Sequence, residues 1–312
     1  MFLSILKGHT AGCPMNKDSN FKWTYLTVEE LIVKLEESDI YVSGEIVRQL
    51  LKEHKIGRRK IQKKGTIKTV ANRNEQFENI KKLRAEYESE GYPILSMDSK
   101  KKEELGSLYR NGVVLTEQAL ESYDHDFKSL SSGKIIPHGL HDVVRNQAFI
   151  NIGVSKDTAE FVLDCLLKWW EQVGKIQYAN KNKLLILCDG GGSNSSRHYV
   201  FKEAMQAFAN RTGLEIRIAH YPPYCSKYNP IEHRLFPHVT RALSGILLDK
   251  VDTVKTLIEQ RAKTKTGLKV VTNIINKVYL TGKKASKEFL ENMTTIFDLF
   301  LPKWNYYFQP II

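Results

Sequence analysis

Three carboxylates stand where side chains of that type do chemistry rather than packing. Asp98 closes the apolar run Pro93-Ile-Leu-Ser-Met-Asp98, and Asp189 closes Lys183-Leu-Leu-Ile-Leu-Cys-Asp189. Glu232 follows forty-three positions later, within Tyr228-Asn-Pro-Ile-Glu-His-Arg-Leu-Phe236. A carboxylate at the end of a buried strand is costly unless it binds something. Two strand-end aspartates and one helical glutamate form an oxygen-rich site suited to two Mg²⁺, for which Mn²⁺ would substitute. Two such ions about 3.5–4 Å apart activate an attacking water or 3′-hydroxyl and stabilise the leaving oxygen of an in-line displacement. The trio therefore points to phosphoryl transfer on a polynucleotide.

The flanking residues fit that chemistry. Asp98 is followed by Lys100, Lys101 and Lys102, cations placed to hold scissile phosphates. Asp189 opens Asp189-Gly-Gly-Gly-Ser-Asn194, whose glycines allow close backbone approach to a ligand or a sharp turn. No Gly-Lys-Ser/Thr follows, so this is no Walker A loop. Ser193 and Asn194 either cap the next helix or face the ligand. Pro230 suits the first turn of the helix carrying Glu232, and Lys227 and Arg234 are the phosphate contacts expected beside it. Asp124 and Asp126 form a substitute acidic pair should Asp98 not serve. The spacing of His220, Cys225, His233 and His238 matches no common zinc finger.

The elements that must position these groups follow from composition and periodicity. A chain of 312 residues can bury a large core, and its length suggests about two domains. Forty-seven basic against thirty-five acidic residues give a formal charge of +12, which favours a polyanionic, salt-sensitive partner. Four cysteines without paired CxxC spacing read as reduced thiols. No apolar stretch approaches the roughly 18 residues of a membrane span, and Met1 to Leu6 is too short for a secretory signal. The expected location is cytoplasmic and nucleoid-associated.

Residues 1–25 read as an irregular start. Over 26–70 the pattern is a helix-turn-helix head with a basic tail: Thr27 and Glu30 form a capping box, Leu31 and Leu35 share a face, and Ser43 caps a second helix with Ile46, Val47, Leu50 and Leu51 inward. Arg48 lies on that helix, and Lys52, Lys55, Arg58, Arg59, Lys60, Lys63 and Lys64 follow, opposed by Glu53. This run reads as a phosphate-contacting stretch. Residues 71–92 form a polar linker helix with Phe77, Ile80, Leu83 and Tyr87 inward. Over 93–312 strands and helices alternate: strands end at Asp98, Asp189 and Ala219, a weak strand spans 112–116, another spans 147–154, Asp157 caps a helix to about Val173, and a helix from about Ser195 ends at Gly213. The expected fold is α/β, a ribonuclease-H-like mixed sheet flanked by helices and preceded by the small helical head. Open sheets of this kind bind ligands outside the carboxyl ends of their strands.

Asp189-Gly-Gly-Gly-Ser-Asn-Ser-Ser-Arg197, His220-Tyr-Pro-Pro223, Ser226-Lys-Tyr-Asn229 and Ile231-Glu-His-Arg-Leu-Phe236 resemble DDE transposases of bacterial insertion sequences of the Rhodopirellula type. Ser96-Met-Asp-Ser-Lys-Lys-Lys-Glu103 is similar to that family's first-aspartate segment, and Tyr123 to Phe127, Asp157-Thr158, Trp169-Trp170 and Trp304-Asn305-Tyr306 fit it as well. The resemblance runs from about Lys22 to Tyr307. It implies that Asp98, Asp189 and Glu232 carry two Mg²⁺, that transposon ends and target DNA are the partners, and that the protein assembles as a homo-oligomer on DNA. Tyr228 stands where the family usually has Trp. The resemblance also implies a further N-terminal helical region before Trp23-Thr24, so a truncated or internally initiated copy is expected. Two rival readings stand beside this one: a structure-specific nuclease that cuts without joining, and an inactive remnant or DNA-binding regulator.

Overall fold

The computed structural model describes residues 2–7, 24–58, 70–119, 121–123, 128–265 and 267–311. It comprises two compact units, Met1–Ile67 and Lys68–Ile312. Cys13, Trp23, Arg59, Lys60, Lys63, Lys64, Asp124 and Asp126 lie outside the described residues.

The first unit contains α1 (Phe2–Lys7), α2 (Val28–Glu36) and α3 (Gly44–Glu53). The capping box is formed: Thr27 Oγ1 accepts from the Glu30 amide at 3.2 Å, and Glu30 Oε2 accepts from the Thr27 amide at 2.6 Å. Ser43 Oγ accepts from the Ile46 amide at 3.4 Å. Leu31, Leu35 and Val47 form a small core with Leu6 of α1. The expected irregular start is thus corrected at Phe2–Lys7, a helix whose apolar side packs on α2 and α3. Ile46 is 43 % exposed rather than inward, because Val47, about 100° further round the helix, takes the buried position.

The second unit is built around a mixed sheet. Its elements in chain order are α4 (Arg73–Ser89), β1 (Ile94–Ser99), β2 (Glu103–Leu105), β3 (Gly133–Asp142), β4 (Gln147–Gly153), α5 (Ala159–Trp169), α6 (Lys175–Gln177), β5 (Lys183–Cys188), α7 (Tyr199–Thr212), β6 (Glu215–His220), α8 (Pro230–Arg234), α9 (Phe236–Ala242), α10 (Val251–Arg261), β7 (Lys269–Ile275), α11 (Lys287–Glu291), β8 (Ile296–Phe297) and β9 (Asn305–Phe308). Among the described residues the strand order is β7-β4-β3-β1-β5-β6-β9-β8, with β2 attached to β3. β3 runs antiparallel to both β1 and β4, β7 is parallel to β4, and β5 and β6 continue parallel to β1. This is the ribonuclease-H-like order.

Period-2 alternation assigns each strand's side chains to two layers. Leu184, Ile186 and Cys188 join Leu95 and Met97 against α5 and α7. Leu185 and Leu187 join Ile94 against Ile80, Leu83 and Tyr87 of α4. Ala148, Ile150 and Ile152 lie under α8, α9 and α10. Helices on both faces explain why β5 reads as an unbroken apolar run. The helix expected as a linker therefore packs on the sheet, and its Gln76 is buried with its amide bonded to the His220 carbonyl at 2.9 Å.

Several local expectations change. β3 is a strand that the sequence pattern does not announce, and the weak strand over 112–116 is absent, with Val113 and Leu115 fully outward at 94 % and 103 % exposure. α5 is capped by Thr158, whose Oγ1 accepts from Phe161 at 3.2 Å, rather than by Asp157. α7 begins at Tyr199 rather than Ser195. Among the described residues no helix is long and apolar enough to cross a membrane.

Candidate active site

Parallel pairing of β1 and β5 aligns Met97 with Cys188, so Asp98 and Asp189, one step further on, lie abreast at the carboxyl edge of the sheet. Glu232 arrives from α8, and a buried polar cluster holds that helix in place. Ser96, on the same face of β1 as Asp98, donates to Asn229 Oδ1 at 2.5 Å and accepts from the Ile231 amide at 2.9 Å. Asn229 Nδ2 in turn donates to the Met97 carbonyl at 3.2 Å. The strand carrying Asp98 and the first turn carrying Glu232 are thereby stapled together. Asn229 caps the helix by position only, since its side chain is spent on β1.

Close approach has a second cause. Asp98 pairs across the ladder with Gly139 of β3. A Cβ at Gly139 would stand 2.8 Å from Ile231 Cδ1 and 3.1 Å from Phe236. The missing side chain is what lets α8 and α9 settle on the sheet beside Asp98.

The electrostatics couple the trio. Burial, then the Asp189 charge, pushes the Asp98 carboxyl up to about 8. The Ser99 amide opposes this with a 2.8 Å bond to Oδ1, while Glu232 adds its charge and a hydrogen bond between the two carboxyl groups. Asp189 is also held above the usual carboxylate range, chiefly by burial and secondarily by Asp157, against a 3.2 Å bond from the Gly191 amide. Among the described residues no three His, Cys, Asp or Glu side chains are gathered tightly enough to enclose an ion; mutual repulsion of carboxylates opposes closer approach. The donor set nonetheless fits Mg²⁺ or Mn²⁺: all its ligating atoms are hard carboxylate oxygens, and the raised Asp98 carboxyl marks negative charge that a divalent cation would offset.

Over residues 2–310 the chain matches the family described as the Rhodopirellula transposase DDE domain. It belongs to that family. The chain is therefore a DDE transposase, a polynucleotidyl transferase. No curated protein matches it. Among solved structures it is similar to the Mos1 mariner paired end complex with Mn, at 15 % identity over 78 % of this chain and 73 % of that one, with a TM-score of 0.47. It is likewise similar to the Mos1 strand transfer complex, at 16 % identity over 80 % and 74 %, with a TM-score of 0.46. At such values the fold rests on the strand order and not on these likenesses.

Two buried histidines back the transposase trio. His138 Nδ1 meets Ser99 Oγ at 2.9 Å, and His220 bridges the Asp189 carbonyl at 2.9 Å and the Tyr306 hydroxyl at 2.7 Å. Burial lowers both to about 4, so both are neutral spacers. The expected phosphate contacts divide. Lys100 is committed to Glu103 at 2.5 Å and is nearly buried, whereas Lys101, Lys227 and Arg234 are exposed. In the first unit Arg48, Lys52, Lys55 and Arg58 line one recess of about 540 Å³ along the exit of α3. Sequence reasoning missed Ser96, Asn229, Gly139 and the site-facing role of Asp157. The signal available was a serine inside an apolar strand and an asparagine directly before a helix-starting proline.

Proposed function

We propose that this transposase cuts DNA at the ends of an insertion sequence and joins the freed 3′-hydroxyl to target DNA, with Asp98, Asp189 and Glu232 holding two Mg²⁺. The strand register that sets Asp98 abreast of Asp189, with the start of α8 fastened to the same strand, carries this reading. When bound, the ions would supply Lewis acidity to the attacking and leaving oxygens. The chain's own part is to present the ligands. Asp98 gives up its raised proton, the Gly191 amide orients Asp189, and the Ser96–Asn229 staple keeps Glu232 against the sheet. Strand cleavage and joining need no covalent protein–DNA intermediate, so no Tyr or Ser nucleophile is assigned. Arg48, Lys52, Lys55 and Arg58, continued in sequence by Arg59 and Lys60, would grip DNA phosphates, and Lys101, Lys227 and Arg234 would do so nearer the carboxylates. On this reading the protein works in the cytoplasm on nucleoid DNA, as a homo-oligomer joining two ends.

The test is Asp189→Asn on duplexes carrying the element's own ends. It keeps shape and removes a ligand charge, so Mg²⁺-dependent cleavage should fall at least about 100-fold, equivalent to about 2.7 kcal/mol, while DNA binding persists. Cleavage at the wild-type rate would refute the assignment.

A further inference from the structure

Beside the carboxylates lies a cavity of about 730 Å³ that none of the roles above uses. It is lined by the segment after β1, the N-terminus of α5, the loop after Asp189, the start of α7 and residues 280–290. Asp157, whose charge acts on Asp189, lines it together with Lys102, four residues past Asp98, and Gly192, three past Asp189, which sets the cavity near the carboxylates. Its volume falls within the range of small-molecule pockets, roughly 300–1,000 Å³, and is too small for a duplex.

The lining has two characters. Lys102, Arg197, Lys283 and Lys284 supply four cations against Asp157 and Glu160. Glu160 is already offset by Lys283 at 2.7 Å, and among the described residues Lys102, Arg197 and Lys284 make no ion pair. The apolar part is formed by Tyr199, Val200, Leu280 and Leu290. Tyr199 is 49 % and Leu280 66 % exposed; Lys202 Nζ lies over the Tyr199 ring at 5.2 Å, and the half of the ring left to solvent, with the aliphatic wall, is available beside the cations. Cations beside an aromatic platform suit a nucleotide with its base unpaired: the phosphate meets the charges and the base stacks.

We propose that this cavity seats an unpaired nucleotide at the end of the DNA strand that enters the carboxylate site. The assignment rests on the transposase reading, but its chemistry is binding rather than cleavage and can be measured alone. Arg197 and Lys284 would hold the phosphate, and Tyr199 the base.

The experiment compares a blunt duplex with the same duplex bearing a short single-stranded overhang of either polarity, by fluorescence anisotropy in EDTA with the full chain. The wild type should bind at least one overhang duplex more tightly than the blunt one. Arg197→Ala with Lys284→Ala, and separately Tyr199→Ala, should each erase that preference, a loss of roughly 10-fold on the overhang duplex, with blunt-duplex affinity changed much less. Arg197→Lys with Lys284→Arg should restore it. These are exposed positions, and unchanged thermal melting would show that folding is intact. No overhang preference in the wild type, or equal losses on both duplexes, would overturn the proposal. Because no metal is present, failure here is distinguishable from failure of the catalytic assignment, which the Asp189→Asn cleavage assay reads.

Discussion

Asp98 folds against Asp189 and Glu232, and that placement fixes how the protein responds to pH. Its carboxyl is raised to about 8 in the folded state, against roughly 3.9 unfolded. Between those values the folded state binds the extra proton, so this group's contribution to stability is full below about pH 4 and is lost as pH rises to about 8. His138 and His220, lowered to about 4 by burial, act oppositely: they stabilise increasingly as pH rises from about 4 to their ordinary value near 6.5. Between pH 6.5 and 8 the Asp98 contribution falls while His138, His141, His220 and His238, all lowered by burial, complete their smaller opposite gain, so Asp98 is read from the difference between wild type and a variant without its charge. Across that interval the melting temperature of metal-free wild type should fall by about 2–4 °C relative to Asp98→Asn. Parallel curves for the two proteins would mean Asp98 is not charge-coupled as described. At this scale the sequence was informative because a strand-end carboxylate violates the burial rule on its own. The pairing of Ser96 with Asn229 was not legible, since the partners lie 132 to 135 positions apart and the local oddity of each residue does not name the other.

At the scale of elements, the packing of α8 on β1 and β3 decides whether Glu232 reaches Asp98. Gly139→Ala would drive a methyl into Ile231, Leu235 and Phe236. Overpacking of this kind costs about 1–3 kcal/mol, and relief by lifting α8 would withdraw Glu232. Thermal unfolding should show the reduced stability, and Mg²⁺-dependent cleavage should fall by more than the unfolded fraction explains. Cleavage that tracks the folded fraction alone would show that α8 does not move. β1, β4, β5 and β6 were legible from apolar runs ending in punctuation. β3 was not, because Pro137, Gly139, His138 and His141 interrupt its apolar pattern, yet all are accommodated: both imidazoles are buried, and Gly139 serves the close approach. Val113 and Leu115 misled in the other direction, since an apolar dipeptide pattern with no sheet edge to join remains outside.

For the whole molecule, the two units carry different features. The first offers a cationic recess and the second the carboxylates, in a chain of formal charge +12. Lys52→Ala with Arg58→Ala should weaken binding to all duplexes and reduce the slope of log affinity against log salt by about one for each phosphate no longer neutralised. An unchanged slope would make that recess a solvated surface. The shift from a charged helical segment to alternating strands and helices is visible in the sequence, whereas the packing of α4 on the sheet was hidden by its polar outer face. The central claim is that Asp98, Asp189 and Glu232 are ligands of divalent metal. It is tested most directly by Mn²⁺ titration of the DNA-free protein, followed by electron paramagnetic resonance, in wild type, Asp98→Asn, Asp189→Asn and Glu232→Gln. The wild type should take up Mn²⁺ at the site, and each substitution should weaken that uptake by roughly 10-fold or more. Wild-type affinity in all three variants, with folding intact, would contradict the account.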